Sequence, residues 1–123
     1  MAGDCGLILK AEARDESGTC VSCTFGDYIT LVAIVENPCD VPLTYRSTKD
    51  CLVSEFAVFN MAAEVSAGYP MTCEMPARIE EIAPGESITQ TRPAGPLSAN
   101  PYELTIQFED AGRTVRTNRF TVE

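Results

Sequence analysis

Six cysteines and no histidine in 123 residues constrain this chain more than any motif does. So many cysteines in so short a chain point to disulfide staples made in an oxidising compartment, because small domains supplement a limited core with covalent cross-links. The absence of histidine removes the commonest general base, the commonest metal ligand and the usual titrating group near neutral pH. A Ser-His-Asp triad, a Cys-His pair and a mixed Cys/His zinc site are all out of reach. This inventory favours a binding or structural protein over an enzyme, with no cofactor and no metal.

One domain spanning residues 1–123 is expected at this length. The net charge of -9 is spread along the chain, with short clusters at Asp15-Glu16, Glu80-Glu81 and Glu109-Asp110. A solvated acidic surface is the simplest reading, and it repels nucleic acid phosphates and anionic membrane surfaces alike. No apolar run approaches the roughly 20 residues that span a bilayer. Met1-Ala-Gly-Asp-Cys5 lacks the basic start and apolar stretch of a signal peptide. Two locations follow: cytoplasmic with free thiols, or extracytoplasmic (periplasmic, secreted or lipid-anchored) with the leader absent from this chain. The cysteine count favours the second.

The apolar pattern has period two almost throughout, which predicts strands. Leu7 and Leu9 alternate with Gly6, Ile8 and Lys10. In Tyr28–Glu36, Ile29, Leu31, Ala33 and Val35 point one way and Val32 and Ile34 the other, as in a central strand. Asn37-Pro38-Cys39-Asp40 ends it, and Val41, Leu43 and Tyr45 form the next strand. Cys51–Phe59 is a further strand, Asn60–Ala63 a turn, and Glu64–Met71 a weaker element broken by Gly68 and Pro70. Arg78–Ile82 leads into Ala83-Pro84-Gly85-Glu86, a sequence suited to a type II turn. Ile88–Thr91 follows, then Pro93–Pro101 as an irregular crossing. Tyr102, Leu104, Ile106 and Phe108 alternate, Asp110-Ala111-Gly112 turns, and Thr114–Val122 closes a hairpin. No substantial helix is predicted. The expectation is an all-β, disulfide-stapled, immunoglobulin-like antiparallel β-sandwich of seven to nine short strands. Pro101-Tyr102 suits a tyrosine corner, in which the hydroxyl ties back to the preceding loop.

Strand geometry prunes the possible cysteine pairings. If Gly6–Ala11 and Tyr28–Glu36 are antiparallel neighbours, Cys5 and Cys39 meet at one end of their ladder. Cys20 and Cys23 then lie together at the other end, and Cys51 and Cys73 flank a compact segment. The expected set is Cys5–Cys39, Cys20–Cys23 and Cys51–Cys73. In the chain-entropy description the two longer loops each contribute roughly 3–4 kcal/mol. Cys20-Val-Ser-Cys23 also has the spacing of a redox pair, but it sits in a loop of an all-β chain rather than at a helix N-terminus. A thiolate zinc site would need a second such motif, and none is present.

Ile29–Arg46 reads as strand, Asn-Pro turn, strand. It is followed by Glu55-Phe-Ala-Val-Phe-Asn60, by Ile82-Ala-Pro-Gly-Glu-Ser87 and by Pro101-Tyr-Glu-Leu-Thr-Ile106. Between Tyr28 and Phe108 that order resembles the BsuPI-type intracellular proteinase inhibitor domain, an immunoglobulin-like β-sandwich family. The resemblance implies the sandwich fold and inhibition of a protease through surface loops.

Two functional classes carry forward. One is a non-enzymatic protein-binding module whose partner is another protein, a protease being one option. Its candidate loops carry Asn37 and Asp40, Asn60 and Met61, Tyr69 and Met71, and Asp110 and Arg113. The other is a structural or assembly role at the cell surface by strand pairing or cysteine cross-links, with Gly3–Lys10 as a donated strand. An enzyme would have to rely on a histidine-free site, such as a serine with Lys10 or Lys49. Calcium on Glu12, Asp15 and Glu16 is conceivable, but a solvated charged loop is much the better account of these carboxylates, and no metal is expected. If the staples form, alkylation of the native protein leaves its intact mass unchanged, and after reduction it adds six alkyl groups. Uptake of six groups without reduction would place the chain in a reducing compartment.

Overall fold

A computed structural model describes residues 5–74 and 76–123 of the chain. The described residues form eleven strands and no helix: β1 (Ile8–Asp15), β2 (Gly18–Thr19), β3 (Ser22–Cys23), β4 (Ile29–Glu36), β5 (Leu43–Ser47), β6 (Val53–Asn60), β7 (Val65–Pro70), β8 (Arg78–Ile82), β9 (Ser87–Gly95), β10 (Pro101–Phe108) and β11 (Val115–Val122). They make a four-stranded sheet ordered β2-β1-β4-β9, a five-stranded sheet ordered β3-β11-β10-β6-β7, and a two-stranded sheet of β5 and β8. The count exceeds the predicted range because β2 and β3 are two-residue pieces, too short to leave a periodic signal. The β3–β11 pair is also parallel, unlike the antiparallel pairing of the other strands.

The alternation seen in the sequence decides which face each large sheet buries. Ile29, Leu31, Ala33 and Val35 of β4 are fully buried in one cluster with Phe56 of β6 and Leu104, Ile106 and Phe108 of β10. Phe120 of β11 stacks on Tyr102 with ring centroids 5.4 Å apart. β4 is central, flanked by β1 and β9, and Val32 on its other face is also fully buried. Val32 lies beside Glu12 on β1, and the adjacent Lys10–Glu36 pair at 2.8 Å lays further aliphatic stem along that face.

Some boundaries move. Pro93 lies inside β9 rather than in an irregular crossing, opposite Thr30 where the β4–β9 register shifts. A proline lacks the ladder donor, and the bulge on an edge strand is where that loss is tolerated. Gly3–Lys10 cannot serve as a free donated strand in its described part: Ile8, Leu9 and Lys10 pair with Glu36, Val35 and Ile34. Gly3 itself lies outside the described residues.

The three disulfides join Cys5 to Cys39, Cys20 to Cys23 and Cys51 to Cys73, with Cα–Cα separations of 6.0, 5.1 and 5.4 Å. The first two are the pairs that the ladder geometry predicts, and the third is the expected remaining pair. The β1–β4 register that brings Ile8 opposite Glu36 also carries Cys5 towards Cys39.

Asn37 closes the same end. Its side chain is fully buried, and its Nδ2 donates to the carbonyls of Val41 and Ile82, each at 2.9 Å, while Oδ1 accepts from the Cys39 amide at 2.8 Å. Its backbone N–H donates to Glu86 and its carbonyl accepts from Gly85. Gly85 has φ of 76° and the Glu86 amide donates to Ala83, so the Pro-Gly turn is of type II as its sequence predicts. Replacing Asn37 by alanine strands the buried Ile82 carbonyl and Cys39 amide and frees the part-buried Val41 carbonyl, a loss of about 3 kcal/mol. The urea midpoint of Asn37→Ala should fall with unchanged slope, whereas Asp40→Ala, at an exposed position, should leave it nearly unmoved.

Candidate functional site

The candidate loop residues do not share one surface. β10 runs from the end carrying Asn60 and Met61 to the end carrying Asp110 and Arg113, and eight strand residues separate these ends by roughly 25 Å. Asn37 is unavailable to a partner because it is buried and fully hydrogen-bonded; Asp40 beside it is exposed. Asn60 is half-buried and caps its own turn, its Oδ1 accepting from the amides of Ala62 and Ala63 at 3.0 Å. Tyr69 and Met71 are half-buried and pack against the core, with the Arg92 guanidinium 5.6 Å from the Tyr69 ring centre.

Asp110 and Arg113 belong to a polar junction rather than to an open loop. Asp110 accepts from the Thr114 amide at 2.7 Å and from its hydroxyl at 2.6 Å, which holds Arg113 at φ of 50°. Next to them Glu109 is buried, accepting from the Thr48 hydroxyl at 2.6 Å, with Arg113 4.0 Å away. The Thr48 bond outweighs burial and holds the Glu109 carboxyl below its ordinary range. Nearby, burial pushes the Tyr45 hydroxyl up to about 12, and that hydroxyl donates to the Leu52 carbonyl at 3.0 Å. These bonds tie β5 to β10 and the segment before β6.

The opposite end carries a feature that alternation does not reveal. The 20–28 loop exposes Val21 (74%), Phe25 (60%) and Tyr28 (55%). It is pinned by Cys20–Cys23 and by Asp15, whose carboxylate accepts from the Thr24 amide at 3.0 Å and the Ser17 amide at 2.8 Å. Those amides hold Asp15 below the ordinary carboxyl range. Glu16 accepts from the Tyr28 amide at 3.1 Å, and Glu123 exchanges backbone bonds with Phe25 and Cys23. Beside the loop a groove of about 280 Å³ is lined by Val21, Met61, Pro101, Tyr102, Phe120 and Thr121. Met61 is thus the one predicted contact residue that the fold places next to this loop. The overlooked signal is three large apolar residues in a run with Gly26-Asp27 but no strand periodicity.

The remaining chemical readings find their residues otherwise engaged. Glu12 bonds to Arg14 and Thr19, Asp15 and Glu16 bond to separate amides, and the three carboxylates do not converge. Acidic groups beside Cys20–Cys23 (Asp15) and Cys51–Cys73 (Asp50) face disulfide sulfurs, which are not thiolate ligands. Lys10 is bonded to Glu36, which raises its pKa and makes it a poorer base.

No family model matches the chain, and no curated protein matches it in sequence. Solved structures with partial likeness include a β-glucosidase from Listeria innocua in complex with glucose, 11% identical with a TM-score of 0.43, covering 97% of this chain and 16% of that one. The CARDB domain of a Pyrococcus furiosus protein, in complex with di-metal ions, is 11% identical with a TM-score of 0.44, covering 97% and 89%. The alkylpurine DNA glycosylase AlkC of Pseudomonas fluorescens, bound to DNA containing an abasic site analog, is 9% identical with a TM-score of 0.45, covering 94% and 30%. The chain therefore spans 16% of the length of the first of these, and likenesses this distant carry no argument about activity.

The lowered pKa of Glu109 has a consequence for stability. A carboxyl lowered in the folded state contributes stability above its unfolded pKa and loses it as pH falls through the folded value. The urea midpoint of the wild type should exceed that of Glu109→Gln by a constant margin at neutral pH. That margin should shrink as pH drops below the ordinary glutamate value of 4.5.

Proposed function

We propose that the chain is an extracytoplasmic, immunoglobulin-like β-sandwich that binds another protein without catalysing a reaction, as its resemblance to BsuPI-type inhibitor domains implies. The observation that carries the binding function is the pinned 20–28 loop with its exposed Val21, Phe25 and Tyr28. Large apolar side chains displayed on a pinned loop are suited to recognition, because little further ordering is needed when a partner covers them. The adjoining groove accepts one apolar side chain from that partner. With a net charge of -9 on this chain, the complementary surface is a neutral or basic one.

Two further observations support the fold and the location. Tyr102 is buried, and its hydroxyl donates to the Ser98 carbonyl at 2.9 Å, the tie expected of a tyrosine corner at the start of a late strand. All six cysteines are paired, which suits an oxidising compartment. Among the described residues no helix is long and apolar enough to cross a membrane.

Progress curves for a panel of serine and cysteine proteases test the inhibitor form of this function. The wild type should slow at least one of them at stoichiometric amounts. Phe25→Ala should weaken that inhibition by roughly thirtyfold, the effect of losing a central anchor worth about 2 kcal/mol. Its urea midpoint should stay unchanged, because the side chain is exposed. Unaltered hydrolysis across the whole panel would remove proteases as the partner.

A further inference from the structure

The edges of the sheets are treated unequally. An edge strand displays unpaired N–H and C=O groups, and folded chains guard them with charges, prolines, bulges or covering groups. On the outer edge of β1 the Leu9 carbonyl accepts from Arg116 Nε at 3.2 Å, the Ala11 carbonyl from Asn118 Nδ2 at 2.9 Å and the Ala13 carbonyl from the Cys20 amide at 3.0 Å. β11 is covered by β3 and by the Val21 carbonyl at Thr121 and Val122, and its remaining stretch carries the charges of Arg116 and Arg119. β9 is blunted by Arg92, Pro93 and the adjacent bulge, and the β5–β8 pair carries Arg46, Arg78, Glu80 and Glu81.

Among the described residues β7 has no such guard at its outer edge between Val65 and Tyr69, although the Glu55 carboxylate lies over its face at Gly68. Its residues Val65, Ser66, Ala67, Gly68 and Tyr69 are uncharged, the first four exposed and Tyr69 half-buried, and among the described residues no strand covers its outer edge. The Met71 amide donates to Ser54, which sets the alternation of the β6–β7 ladder. Val65, Ala67 and Tyr69 therefore bond to β6, and Ser66 and Gly68 turn their N–H and C=O groups outward.

We propose that β7 pairs with β7 of a second copy of this chain, antiparallel about a two-fold axis through Ala67, joining the two five-stranded sheets into one. The edge is self-complementary in that register. Ser66 of one copy lies opposite Gly68 of the other, and each gives and receives a ladder bond. Val65 of one copy faces Tyr69 of the other, a β-branched and aromatic pair of the kind that stabilises strand pairing. Pro70, which has no N–H, falls opposite Glu64, where the ladder stops. Val65 is 59% exposed and borders a hollow of about 180 Å³ with Val58, Ala67, Tyr69, Leu97 and Tyr102, so pairing also covers apolar surface. A six-residue edge makes a small interface, hence a weak, concentration-dependent dimer. The dimer does not depend on what the 20–28 loop binds.

Sedimentation of the intact protein over micromolar to millimolar concentrations tests the pairing. The wild type should pass from monomer to dimer mass. Ala67→Lys and Ala67→Glu should each remain monomeric, since each puts like charges face to face at the axis, and an equimolar mixture of the two should dimerise again. Hydrogen exchange of the wild type supplies a readout free of mutation: the Ser66 and Gly68 amides should slow as concentration rises, while that of Ala67, already bonded to β6, should not. A wild type that stays monomeric throughout, or variants that each dimerise like the wild type, would overturn the proposal.

Discussion

The buried amide of Asn37 holds together parts of the chain that are far apart in sequence. Its side chain joins the carbonyls of Val41 and Ile82 to the amide of Cys39, and its backbone meets the turn at Gly85 and Glu86. The end of β4, the start of β5 and the β8–β9 turn are thereby fixed to one residue. An amide suits the position because it donates and accepts at once; aspartate would offer no donor to the two carbonyls, and leucine no polar group at all. The β5–β8 pair continues beyond the β4–β9 ladder because of this junction, and Cys39 is presented to Cys5 by it.

The same economy of buried polar groups recurs elsewhere. The Gln90 side-chain oxygen accepts from the amides of Leu52 and Val53, so β9 of one sheet holds the entry to β6 of the other. Tyr45 reaches the Leu52 carbonyl, and Glu109 reaches Thr48. Each bond satisfies a group that packing has removed from water, where an unmet partner would cost about 1–3 kcal/mol. One end of the molecule is thus consolidated by polar ties, including several side chains that their loop positions alone would suggest are free for binding. The other end has its loop pinned from beneath by Asp15, Glu16 and Cys20–Cys23, which leaves Val21, Phe25 and Tyr28 facing solvent. Anchoring and display are separated there, and the proposed recognition surface rests on that separation.

By itself the sequence determined the features that depend on near neighbours along the chain. Alternation along β4 and β10 gives strands with a defined buried face, Pro84-Gly85 gives a type II turn, and the antiparallel register of β1 and β4 brings Cys5 to Cys39. Tyr102 at the head of a late strand likewise pointed to its tie with Ser98. Tertiary structure decided the rest. It alone made Asn37 a buried junction, drew Asp110 and Arg113 into a polar tie, exposed the 20–28 loop beside Met61 and, among the described residues, left β7 as an edge with neither charges between Val65 and Tyr69 nor a covering strand. Strand periodicity and turn chemistry are settled within a few residues, whereas burial and edge pairing depend on segments that reach each other only after the sheets have formed.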